Sequence, residues 1–165
     1  MNAWPIRPPE ERALLNPAFC SSLIWQAASG YLGPAQSALP FELSFLVLPI
    51  VLHQSTRQTL PRSSVTSIPS WLHDNALLRP TIADRARLLR PFTREAIVFG
   101  CTYGLLTMKG SDICASSQWK TRILSLKNSD STEVKDCGRL ANFLGKWFGQ
   151  ASSAPTVMAI FGVRP

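Results

Sequence analysis

Charge is scarce in this chain. Asp, Glu, Lys and Arg make up 16% of its 165 residues, against about a quarter in a typical globular domain. So much neutral surface risks sticky patches, which favours a subunit that lives against a partner. Histidine is scarcer still: only His53 and His73 occur. Neither has a second ligand at H-x-x-x-H or C-x-x-C spacing, so a zinc site would need ligands converging from distant positions. A Gly-rich phosphate loop and a G-x-S-x-G elbow are both missing, which excludes those routes to nucleotide binding and acyl transfer. The ten carboxylates are scattered, with no D-x-D or E-x-x-E pair. The reading is therefore a non-enzymatic protein with no catalytic residues, no cofactor and no metal. A small enzyme built on His53 or a cysteine is the less favoured alternative.

Long hydrophobic runs are also missing. The longest, Phe45 to Leu52, is far short of the roughly 20 residues a membrane span needs, and Pro49 interrupts it. The N-terminus lacks the charged-then-apolar order of a signal peptide. Cys20, Cys101, Cys114 and Cys137 form no C-x-x-C pair. Few cysteines in a chain this long argue against a disulfide framework and for a reduced, cytoplasmic protein with no membrane partner.

What is present is a basic, helix-rich pattern. Seventeen basic residues against ten acidic give a net charge of +7. Most of the excess lies after residue 62, without a dense run, and it favours anionic partners, nucleic acid first. The length fits a single domain, 1–165. Residues 1–13 read as an extended, Pro-rich arm. Residues 14–90 read as a helical part, 91–151 as a winged-helix-like part and 152–165 as a tail too short to classify.

Asn16-Pro17 starts the first helix, with Asn as N-cap and Pro at its first position. Gly30, Gly33 and Pro34 are expected to stop it. A second helix, apolar nearly all round, is expected from Pro40 to about Gln54, followed by a polar link from Thr56 to Ser67. Short helices are expected at Ser70–Asn75 and Thr81–Arg90, with Pro91 forcing a break.

Residues 92–127 carry the most information. A helix from Thr93 to about Tyr103 meets a glycine stop, paired leucines, a turn and a β-ribbon, which is how a winged-helix module reads. Ile97, Gly100, Cys101 and Gly104 share a small-residue face that another backbone could approach closely. Strands are expected at Leu106–Met108 and Ile113–Ala115, and a third at Lys120–Leu126. A last amphipathic helix follows a near capping box at Asp130–Glu133. It turns Val134, Cys137, Leu140, Ala141, Leu144, Trp147 and Phe148 inward. The fold class is mainly α with a small β-ribbon.

Without a reaction centre, the candidate residues are contacts to partners or DNA. Arg87, Arg90 and Arg94 are spaced like one helical face, although Pro91 should interrupt it; Arg79 and Arg85 add to the phosphate-contact candidates. Arg57, Arg62 and Arg164 sit beside turns next to apolar segments. Each either anchors a partner's carboxylate or caps a helix C-terminus. Phe143 falls among the polar residues of the last helix and is a contact candidate, as is Lys146. The Thr93–Tyr103 face has few side chains able to read base edges. A stand-alone winged-helix DNA-binding regulator is therefore the second reading, behind a protein-binding scaffold.

The chain resembles the small middle component of bacterial three-component ABC ATPase systems, related to the Lamassu-type anti-phage systems. The likeness lies in the order and spacing of short stretches. Those in the first half are Asn16-Pro17-Ala18-Phe19, Leu39-Pro40-Phe41, Leu48-Pro49-Ile50-Val51-Leu52-His53, Thr56-Arg57 and Leu60-Pro61-Arg62-Ser63. Those in the second are Thr93-Arg94-Glu95-Ala96, Gly104-Leu105-Leu106, Leu144-Gly145-Lys146-Trp147-Phe148 and Gly162-Val163-Arg164-Pro165. Lys146 stands where the pattern leads one to expect Arg. The resemblance implies an accessory subunit between an SMC- or Rad50-like ABC ATPase and an effector, acting against phages or plasmids. It implies that the ATPase hydrolyses ATP, the effector supplies any toxic activity, and DNA is held through the complex.

Overall fold

The computed structural model describes residues 7–151 and 153–163. It is mainly helical with one small antiparallel sheet, as the pattern predicts. The expected arm is partly helical: α1 covers Pro9–Leu14. Ahead of it, the Arg7 guanidinium donates to both Glu95 oxygens, at 2.8 and 3.0 Å, and sits 5.5 Å from the centre of the Phe92 ring.

Helix α2 (Pro17–Ala35) is the centre of the fold, buried almost continuously from Cys20 to Ala28. Asn16 Oδ1 accepts from the amides of Ala18 and Phe19. Contrary to expectation the helix passes through Gly30, Gly33 and Pro34, and it ends at a left-handed Gln36. Gly30 is there for closeness rather than for stopping. A Cβ on it would lie 2.1 Å from the Asn142 carbonyl oxygen.

The expected Pro40–Gln54 helix is divided. Strand β1 (Leu39–Pro40) leads into a 3-10 turn, then α3 (Ser44–Val51), then α4 (Gln54–Thr59). The division has a local cause. His53 is extended, and its Nδ1 faces the Thr56 amide and hydroxyl, capping a new helix. Helix α4 thus occupies the first third of what the pattern reads as a polar link. Helix α5 (Ile68–Asp74) follows, capped by Ser67.

Helix α6 (Leu78–Thr102) runs unbroken where two helices are expected, so the 90/91 boundary between the two parts falls inside it. Proline in a helix interior costs about 3 kcal/mol. Here Pro91 is exposed, on the side where water can satisfy the carbonyl it leaves free. The opposite face buries Ile82, Ala83, Ala86, Thr93, Ala96, Ile97 and Gly100, which offsets that cost.

Strands β2 (Leu106–Lys109) and β3 (Asp112–Ala115) form the expected hairpin. The third strand is β1, pairing Leu39 with Ile113, not the Lys120–Leu126 segment. That segment is helical: α7 (Lys120–Leu124), then a 3-10 turn. Trp119, Ile123 and Leu126 all pack on the core, and their 4–3 spacing is a helical period rather than an alternation.

Helix α8 (Thr132–Gly149), capped by Ser131, lies along α2. Close approach requires glycine on both sides. A Cβ on Gly145 would lie 1.9 Å from the Ala27 carbonyl oxygen. The Ile97–Gly104 face does not serve this way: Gly100 meets the Ser21 and Leu106 side chains, and Gly104 meets nothing. Helix α9 (Ala154–Ile160) classifies the tail and buries Val157 and Met158, with Phe161 just beyond. All four cysteines are free thiols, and Cys20 and Cys137 are buried. No helix among the described residues is long and apolar enough to cross a membrane.

Candidate functional site

Helix α6 supplies five arginines, and the fold divides them into two groups. Helix α3 ends at Val51, so the last carbonyls of that helix lack amide partners. Arg85 Nε donates to the Pro49 carbonyl at 3.0 Å, and its terminal nitrogen donates to Thr56 Oγ1 at 2.8 Å. Arg79 donates to the Ala159 carbonyl at 3.2 Å, joining α6 to α9. Both are structural ties. The other three, Arg87, Arg90 and Arg94, are exposed and one turn apart. The continuity of α6 puts them on a single face.

These three arginines line a cleft of about 270 Å³. The wall facing them comes from the 3-10 turn and the start of α3, with Phe41, Glu42 and Phe45. Phe41 and Phe45 meet edge to face, with ring centres 5.2 Å apart. Met158 and Val163 from the C-terminal segment complete the floor. Arg87 forms an exposed ion pair with Asp84. Arg90 and Arg94 make no side-chain hydrogen bond or ion pair among the described residues. Val98, 65% exposed, follows Arg94 one turn on. The result is an apolar floor under a cationic rim, with one carboxylate in the wall.

The remaining candidates are dispersed. Arg57 is buried, donating to the Val51 carbonyl at 2.6 Å and pairing with Glu133. Of its two readings, the structure shows the helix cap. Arg62 is exposed in the loop before α5, and Lys146 is exposed on α8. Phe143 is half-buried, its ring centre 5.7 Å from that of Trp147. Arg164 lies outside the described residues. The apolar side of the cleft is absent from the sequence-based candidates. Phe41 and Phe45, at i and i+4, read there as part of a core helix.

The groups most able to do chemistry are occupied or quenched. His53 is spent on capping α4. Its pKa is lowered, first by burial and then by Arg85 and Arg57. Burial pushes the Cys20 thiol up to about 12 and the Cys137 thiol to about 11, the opposite of an activated nucleophile.

Residues 4–165 match the model of the family described as ABC-three component (ABC-3C) system Middle Component 3. The chain belongs to this family. As a Middle Component 3 protein it is an accessory subunit of a multi-component system, with the other ABC-3C components as partners. No curated protein and no solved structure matches it.

Proposed function

We propose that this Middle Component 3 chain is a non-enzymatic adaptor, bridging an SMC- or Rad50-like ABC ATPase and an effector. The assembly would be a cytoplasmic anti-phage or anti-plasmid complex of Lamassu type, with DNA held through the complex. The observation that carries the reading is the family match over residues 4–165. The surface supports it. Helix α6 turns Leu88 and Val98 outward at 72% and 65% exposure, beside three arginines, a composition suited to covering by another protein. The capped His53 and raised cysteines support a role without catalysis.

Co-expression with the ATPase and effector encoded beside it tests the proposal. All three components should co-purify, and omitting this chain should leave ATPase and effector apart. Assembly of those two at full strength without it would refute the bridging role. A winged-helix-like DNA-binding regulator is the second reading, favoured by the arginine face of α6 ahead of the β2–β3 hairpin. It requires site-preferring DNA binding by the chain alone, with a steep salt dependence in a gel shift.

A further inference from the structure

We propose that the α6 cleft is a docking site for an acidic segment of a partner protein, one that inserts a single bulky apolar side chain between the phenylalanines and the arginines. This rests on the adaptor reading and names the chemistry of the partner.

Charge complementarity selects the acidic segment. Arg90 and Arg94 have no internal acceptor among the described residues, and Arg87 keeps only an exposed pair with Asp84. A guanidinium offers a planar fork of donors that a carboxylate fills with two parallel bonds. The floor selects the anchor. Phe41, Phe45, Met158 and Val163 offer an apolar surface, which carboxylates alone would leave unfilled. The size suits a bulky side chain: about 270 Å³ lies just below the usual range of about 300–1,000 Å³ for small-molecule and cofactor pockets.

Nucleic acid fits this cleft less well. A phosphodiester chain carries no apolar group for the phenylalanine floor. Filling the floor with a base would first require unstacking it, at about a few kcal/mol.

The test uses the full chain co-expressed with its neighbouring ATPase and effector. Arg90→Glu/Arg94→Glu should fold normally, because both side chains are exposed and make no hydrogen bond or ion pair among the described residues; a thermal midpoint matching the wild type confirms this. Capture of the partner should fall about a hundredfold, from two charge-assisted contacts worth about tenfold each. The Lys109→Glu/Lys127→Glu control, with the same change in net charge, should capture normally. A photo-crosslinker in place of Val98 should mark a segment of the ATPase or effector rich in Asp and Glu, with an aromatic or large aliphatic residue among them.

Capture by the double arginine variant at wild-type strength would overturn the docking proposal and leave the adaptor reading standing. Crosslinking to DNA, or to a segment without acidic residues, would overturn it as well. Failure of the wild-type chain to capture either component would instead refute the adaptor reading.

Discussion

Arg57→Ala separates a helix-capping arginine from a partner anchor. The Arg57 side chain is 5% exposed, and its guanidinium lies 2.6 Å from the Val51 carbonyl, one of the open ends of α3. Removing a charged donor from a buried carbonyl costs about 1.5–3 kcal/mol. The Cys137 thiol, 3.6 Å from the same oxygen, is a weak substitute. Glu133 is 52% exposed, so its lost ion pair adds at most about 1 kcal/mol. The expected loss is therefore about 2–4 kcal/mol. Urea unfolding followed by tryptophan fluorescence reads it directly, since Trp71 and Trp147 are buried in one aromatic cluster. With a slope of about 2 kcal/mol per molar, the midpoint should drop by about 1–2 M. Arg62→Ala, at an exposed loop position, should leave it unchanged. If Arg57→Ala unfolded within about 0.3 M of the wild type, the capping argument would be wrong and Arg57 would return as a partner contact.

Glycine substitutions should separate by packing. Gly145→Ala forces a Cβ against the Ala27 carbonyl and should cost about 2–3 kcal/mol. Gly33→Ala, on the same pair of helices but in open space, should gain up to about 1 kcal/mol; thermal melts compare the two. In native protein at pH 8 a thiol reagent should modify exposed Cys101 well before Cys20 and Cys137, which should react only on unfolding; mass mapping of the labelled sites checks this. The raised thiol pKa values of Cys20 and Cys137 make stability fully present below about pH 9. It should then decline as pH rises toward 11–12, because the unfolded chain ionises there first. A Cys20→Ala variant should show a shallower decline in melting temperature over that window.

The helices that were legible in the sequence announce themselves at their ends or by their faces. Asn16-Pro17 and Ser131 cap α2 and α8, and the 3–4 spacing along α8 matches its buried side. The hairpin was legible for the same reason, since Gly110-Ser111 separates two short apolar segments. The misread elements depend on tertiary context. Pro91 breaks a helix in isolation, but α6 keeps its apolar face buried through that point. The two-residue strand β1 exists only because β3 lies beside it. The Lys120–Leu126 segment is too short to tell alternation from a helical turn. The arginine half of the cleft could be read by counting residues along a helix. Its phenylalanine half could not, because Phe41 and Phe45 belong to a stretch apolar nearly all round, in which the pattern singles out no face.

The unbroken course of α6 has a mechanical consequence. Twenty-five residues at 1.5 Å each make a rod about 37 Å long. Its first turns are tied to α9 through Arg79, and its far end feeds the hairpin. The arginine cleft sits near mid-span, so a load applied there is shared by both ends instead of being absorbed at a joint. Such a chain suits the task of a strut that sets the spacing between two neighbours, and paired spin labels at Leu77 and Tyr103 would measure how narrowly that spacing is held.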